Sequence, residues 1–283
     1  MDPQDRVDLD DWRNLNHAWW EERAPLHAAS DFYGGDAQSA GSGLRPFEWE
    51  LLGEVAGLDV VHPQCHIGTD TISLAEHGAR TVGIDFSGNA VVAAARIAQE
   101  RGVADRTEWV ESDVYDAPAA VGGRTFDLVY TGFGALCWLP DIDRWAQVMD
   151  ELCRPGGRLF LGEFHPFQDV LGDDEPVLAR DYFRSVGEVF HEPGSYASGD
   201  VQTAANTIVD FIHPVSEVMT ALLDRGFVVR SFREYDFTLF ARWPWLDHRP
   251  EDDTWWLPGG MPKIPLMYTL LVDKPGRAAP FRG

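Results

Sequence analysis

From Leu58 onward the chain alternates short apolar runs with helical stretches, and this alternation constrains the fold more than any other feature of the sequence. The runs fall at 58–64 (Leu-Asp-Val-Val-His-Pro-Gln), 80–85, 106–111, 125–131 and 157–164. Runs that are apolar at nearly every position belong to strands covered on both faces, which crossover helices provide. The pattern therefore predicts an α/β architecture, a Rossmann-like doubly wound sheet that is mostly parallel. Ser87, Asp141 and Thr69 stand where a side-chain oxygen would cap the helix that follows. The helix before the fifth strand is expected to end in Arg154-Pro155-Gly156-Gly157.

The flanking segments read differently. Residues 1–56 form a helical N-terminal preface, with Trp12, Leu15 and Trp19 on one helical face, and Leu44, Phe47, Leu51 and Val55 on another behind Pro46. The rest, 57–283, carries the sheet. It is interrupted by two cap insertions, a Gly-, Pro- and Asp-rich stretch at 166–213 and a tryptophan-rich excursion at 237–264. A helix ending at Gly226 leads into expected strands at 227–235 and 265–273.

Composition narrows the class of function. With 23 basic against 46 acidic residues the formal net charge is -23, so a nucleic-acid partner or an anionic lipid surface would be repelled. No uncharged apolar stretch of about 18 residues occurs, and the first residues are acidic, so a soluble cytoplasmic protein without a membrane partner is expected. Cys65, Cys137 and Cys153 are odd in number and widely spaced, which fits reduced thiols and opposes a structural metal site.

In a doubly wound sheet the ligand sits beyond the carboxyl ends of the strands, near the first strand–helix turn. That turn is Gln64-Cys65-His66-Ile67-Gly68-Thr69-Asp70. A dinucleotide fingerprint requires three glycines and this loop offers only Gly68, which opposes a pyrophosphate cradle. Asp85, ending the second strand, is placed to accept both hydroxyls of a ribose, and a carboxylate ending an apolar strand needs such a partner.

Several motifs together resemble the class I S-adenosylmethionine-dependent methyltransferases, in particular a bacterial small-molecule subgroup. Leu58 through Gly68 with Thr69 through Ala75 stands where the family has its strand and glycine loop. Val82-Gly83-Ile84-Asp85-Phe86-Ser87 is similar to its acidic second strand, and Glu111-Ser112-Asp113-Val114 to its third strand end. Phe126 through Thr131 is similar to its fourth strand, and Leu152 through Gly157 and Leu222 through Phe227 to its later turns. The departure is Gln64-Cys65-His66 where the family carries a Gly-Cys-Gly loop. The resemblance implies an antiparallel last strand, S-adenosylmethionine as cofactor and S-adenosylhomocysteine as product. Asp85 would then hold the ribose, Phe86 would pack on the adenine, and Asp113 and Val114 would meet its edge. Gly68 would admit the cofactor to the backbone, Gln64, His66, Thr69 and Thr131 would line the methionine end, and Arg45 would grip its carboxylate.

Methyl transfer from a sulfonium is an in-line displacement that chiefly requires alignment and exclusion of water, with a general base needed only for some acceptors. His165, just past the fifth strand, Tyr33 and His27 in the preface, and His213 before the last helix are the candidate catalytic groups. Eleven tryptophans, concentrated in the preface and the late insertion, suggest an aromatic lid suited to a small aromatic or amine-bearing acceptor. The sequence leaves two other readings open, a nicotinamide-dependent oxidoreductase and a non-catalytic protein that binds S-adenosylmethionine. It leaves the oligomeric state open as well, a homo-oligomer included.

Overall fold

The computed structural model describes residues 11–34, 43–183, 186–198 and 201–276. Part of the turn-rich stretch expected at 29–43 lies outside the described residues, as do both chain ends. Helix α1 (Trp12–Ala28) is followed by the single turn α2 (Asp31–Gly34) and by α3 (Pro46–Leu52). Then the alternation begins: β1 (Asp59–Pro63), α4 (Thr69–Glu76), β2 (Arg80–Asp85), α5 (Gly88–Glu100), β3 (Thr107–Glu111), α6 (Ala117–Ala120), β4 (Phe126–Thr131), α7 (Ile142–Leu152) and β5 (Cys153–Phe164). The first insertion holds β6 (Glu188–His191) and β7 (Thr207–Asp210). After α8 (Val215–Asp224) and β8 (Val228–Tyr235) come the short strands β9 (Phe237–Thr238), β10 (Asp247–Arg249) and β11 (Thr254–Trp256), and finally β12 (Met267–Asp273).

The main sheet has seven strands in the order β3-β2-β1-β4-β5-β12-β8. β1 pairs in parallel with both β2 and β4, and the strand order reverses there, opening a crevice at the carboxyl ends of β1 and β4. β12 runs antiparallel between β5 and β8, so the antiparallel strand expected last in sequence is inserted next to the sheet edge. β1, β4 and the middle of β5 are buried on both faces, as their near-continuous apolar sequences require. One core cluster, around Trp145, Leu159 and Leu270, fills one face; another, around Leu52, Leu74 and Phe160, fills the other.

Two local expectations are corrected. Thr69 does not cap α4; it is the first residue of that helix, and the cap position is Gly68, whose left-handed φ of 77° leaves no role for the threonine oxygen there. α7 ends at Leu152, two residues short of Arg154, because pairing of Cys153 with Phe126 already commits the chain to β5. Ser87 and Asp141 do cap α5 and α7, accepting from Ala90 N–H at 3.0 Å and Arg144 N–H at 2.9 Å.

The preface and the first insertion are built onto each other. Asn16 donates to Val209 O at 2.9 Å and accepts from Val209 N–H at 2.8 Å, completing the open edge of β7. Arg23, fully buried on α1, donates to the carbonyls of Gly194, Ala205 and Glu192 at 2.7–2.8 Å. These bonds lay α1 and the β6–β7 hairpin over the carboxyl end of the sheet. The second insertion forms a separate three-stranded sheet, β10-β11-β9, around the stacked pair Trp243 and Trp245.

Candidate active site

A cleft of about 780 Å³, counted to its open mouth, lies between the carboxyl ends of the strands and helix α1. Its floor is the turn after β1. Gln64 and His66 both adopt left-handed backbone, with φ of 59° and 52°, a conformation glycine adopts without cost. The structure thus places two side chains where the loop geometry favours glycine. Gly68 is a true glycine position: besides its positive φ, a Cβ there would come within 2.3 Å of the Trp109 ring. Gly68 therefore serves the seating of α4 on β3, and it does not line the cleft.

The loop is held to β2 by Asp85. Its Oδ2 accepts from His66 N–H at 2.8 Å and its Oδ1 from Ser87 N–H at 2.9 Å, which leaves one lone pair on each oxygen for a ligand. Burial pushes the Asp85 carboxyl up to about 6, against the pull of those two backbone donors. Gln64 donates to Ala135 O at 2.9 Å, while its Oε1 is buried with no hydrogen-bond partner among the described residues. Further along, Asp113 caps the turn at Tyr115 N–H and pairs with Arg13 of α1 at 2.9 Å; Ser112 and the buried Val114 line the cleft beside it.

Aromatic rings form the walls. Trp12 and Trp20 come from α1, Tyr33 from α2, Phe133 and Trp138 from the loop after β4, and Tyr196 from the first insertion. The Tyr33 and Tyr196 hydroxyls meet at 2.6 Å. Against them stands a histidine pair, His27 Nδ1 and His66 Nε2 at 3.0 Å, with Ser195 Oγ 3.0 Å from His27 Nε2. Burial lowers both imidazoles, His27 to about 4 and His66 well below its ordinary value, so both are neutral at pH 7. Among the described residues no group of three or more His, Cys, Asp or Glu is placed to hold a metal ion.

Of the cofactor residues expected from sequence, Gln64, His66, Asp85, Phe86, Asp113 and Val114 line the cleft; of the catalytic candidates, Tyr33 does. The others are elsewhere. Thr131 is fully buried with its Oγ1 against Met149 Sδ, because alternation along β4 turns it toward α7. Arg45 leads into α3, where its guanidinium is 3.7 Å from Asp253 of the second insertion. Thr69 sits on the first turn of α4 outside the cleft lining. His165 turns toward the far edge of the sheet, 3.2 Å from Glu234 on β8, and accepts from Phe167 N–H through Nδ1. His213 spends both ring nitrogens, on Glu217 and on Leu139 O. The late tryptophans pack around their own small sheet, so the tryptophans of the cleft are Trp12, Trp20 and Trp138, from the preface and the loop after β4.

Sequence reasoning passed over Glu163. This buried carboxylate accepts from the N–H groups of Gly134, Ala135, Leu136 and Phe164 at 2.6–2.9 Å and so fixes the loop that carries Phe133 and Trp138. Burial pushes it up to about 7. The signal was an acidic residue inside the apolar run Leu159-Phe160-Leu161-Gly162-Glu163-Phe164.

Comparison with known proteins agrees with this geometry. A methyltransferase-domain family model matches residues 63–159, from the end of β1 into β5. The chain is similar to a ubiquinone biosynthesis O-methyltransferase of Leptothrix cholodnii, 29% identical over 87% of this chain and 93% of that protein. With the enzyme of the same description from Nitrosospira multiformis it shares 30% identity over 56% of this chain and only 60% of that protein's length. A solved S-adenosylmethionine dependent methyltransferase from Mesorhizobium loti has the same fold, with a TM-score of 0.53 at 18% identity, over 81% of this chain and 96% of that one. Residues 63–159 thus carry a methyltransferase domain, and the sheet order with the cleft at its reversal is the fold of the solved S-adenosylmethionine dependent methyltransferase.

Proposed function

We propose that this chain transfers a methyl group from S-adenosylmethionine to a small aromatic acceptor, with S-adenosylhomocysteine as product. The observation that carries the reading is Asp85, a buried carboxylate at the end of β2 that retains one free lone pair on each oxygen toward the cleft. The residues present fit the cofactor. Gln64 Oε1 is a buried acceptor with no donor among the described residues, and the α-ammonium of the methionine moiety would supply one. Asp85 would take the ribose hydroxyls, and Ser112, Asp113 and Val114 border the space for the adenine. When bound, the cofactor supplies an electrophilic methyl carbon on a sulfonium. The protein's part is to hold an acceptor against it and keep water out, which Trp20, Tyr33, Phe133 and Trp138 do by enclosing the far end of the cleft.

The same loop opposes a nicotinamide dinucleotide. Cys65 N–H donates to Ile84 O, His66 N–H to Asp85 and Gly68 N–H to Cys65 O, all at 2.8–2.9 Å, so these amides are spent inside the fold and offer no cradle to a pyrophosphate. A purely sensing role is disfavoured because the cleft continues past His66 to Tyr33 and Tyr196. The relatives named for ubiquinone biosynthesis O-methylation favour a hydroxyl-bearing ring as the acceptor. No helix among the described residues is long and apolar enough to cross a membrane, which fits an acceptor met in the cytoplasm. Calorimetric titration with S-adenosylmethionine, S-adenosylhomocysteine, NADH and NADPH tests the reading. Micromolar binding of the first two alone is expected; binding of a nicotinamide cofactor instead would overturn it.

A further inference from the structure

His66 occupies a left-handed backbone position that is strained for an L-residue and unstrained for glycine. A strained side chain at the floor of a cleft points to work done by that side chain, and its surroundings show which work. Nε2 of His66 faces His27 Nδ1 at 3.0 Å, and His27 Nε2 faces Ser195 Oγ at 3.0 Å. Ser195 is half-buried on the first insertion, at the outer end of this line, and its Oγ already accepts from Ala197 N–H at 3.2 Å. His66 stands between the two halves of the cleft, its own N–H on Asp85 and its ring packed edge-on to Trp20 and Tyr33.

We propose that His66 is the proton acceptor for a hydroxyl-bearing methyl acceptor, and that His27 and Ser195 form the relay that carries the proton out of the cleft. The inference rests on the methyltransferase reading above and names its acceptor class. The relay requires one polarity along these three bonds. With Ser195 Oγ accepting from both Ala197 N–H and His27 Nε2–H, its own proton is left for solvent. His27 Nδ1 then accepts from His66 Nε2–H, and His66 Nδ1 is left bare, with no protein partner among the described residues. In the reaction the acceptor O–H gives its proton to His66 Nδ1 as its oxygen bonds to the methyl carbon, and the pair that held the methyl remains on sulfur. His66 Nε2 passes its proton to His27 Nδ1, His27 Nε2 passes its own to Ser195 Oγ, and the serine proton leaves to solvent. Every group ends neutral, which suits a site where two adjacent imidazolium ions would repel each other. His27 acts through His66 and is a positioning residue, stacked on Tyr33 with 5.4 Å between ring centroids.

The test is nitrogen NMR of the full chain labelled in histidine and saturated with S-adenosylhomocysteine at pH 7. We expect His66 to carry its proton on Nε2 with Nδ1 bare, and His27→Phe to shift His66 toward a mixture of tautomers. The relay is overturned by a protonated Nδ1 on His66 in the wild-type complex. As a second measurement, His66→Gly relieves the backbone and should fold, and its activity is read at saturating S-adenosylmethionine so that a loss of cofactor affinity is separated from loss of the proton acceptor. Transfer of labelled methyl to catechol should nevertheless fall at least tenfold in that variant, and an unchanged rate would overturn the proposal. If catechol accepts no methyl from the wild type, the tautomer alone decides. Failure of S-adenosylhomocysteine to bind at all would sink the methyltransferase reading itself, whereas binding with the wrong tautomer sinks only the relay.

Discussion

At the scale of the residue, the site turns on carboxylates whose environments differ. Asp85→Ala is expected to weaken S-adenosylhomocysteine binding at least tenfold, about 1.4 kcal/mol, measured by calorimetry; unchanged affinity would remove the ribose role. Its pH dependence follows from burial. With the carboxyl pushed up to about 6, the charged acceptor is present above that value and lost as pH falls through it. Cofactor affinity should therefore be flat from pH 8 to 7 and decline from about 6 downward. His165 belongs to a different part of the molecule. Its ring nitrogens are engaged by Glu234 and Phe167 N–H, so His165→Ala should lower the melting temperature and leave cofactor affinity unchanged. Asp85 was legible in the sequence because a carboxylate ending an apolar strand has few other uses. The distinction between His66 and His165 was not, since both are histidines near strand ends and only packing decides which one faces the cleft.

At the scale of the element, α1 and the β6–β7 hairpin are joined by polar bonds made in the interior. Asn16→Ala would leave the buried N–H and C=O of Val209 unpaired and remove two bonds, a loss of about 2–3 kcal/mol. Urea unfolding should read that loss. Hydrogen exchange at Val209 should accelerate while β1 and β4 stay protected, because the hairpin loses its fastening without disturbing the main sheet. The amphipathic pattern of Trp12, Leu15 and Trp19 predicted the helix. It could not predict that the buried face also carries Asn16, Arg23 and His27, each with a partner in the first insertion more than 160 residues away in sequence. The tryptophans of 237–264 show the converse. Their clustering in sequence was plain, but whether they cover the cleft or one another was set by the pairing of β9, β10 and β11.

At the scale of the whole molecule, buried ionisable groups set where the fold is most stable. Glu48 and Glu163 are pushed up to about 8 and about 7 and Asp85 to about 6, so each binds a proton more readily folded than unfolded. Stability from them is lost as pH rises through those values. His27 and His62 are pushed down to about 4 and about 3, so the unfolded chain binds protons better below the ordinary histidine range. Stability from keeping them neutral is lost as pH falls below about 6.5. Above pH 6 the acids outweigh the histidines, so the melting temperature should fall as pH rises from about 6 to 8. A monotonic rise to pH 8 would mean the buried acids are not protonated as described. The sequence by itself determined the sheet, because strands covered on both faces must be apolar throughout and glycine turns must separate them from helices. It also determined the carboxylate at the end of β2 and the methyltransferase-domain motifs of 63–159. Only the tertiary structure decided which side chains meet in the cleft: the histidine pair, the Ser195 contact and the Glu163 clamp join segments far apart in the chain. No local pattern encodes such a meeting, since the contacts that select it form only once the sheet has brought those segments to one end.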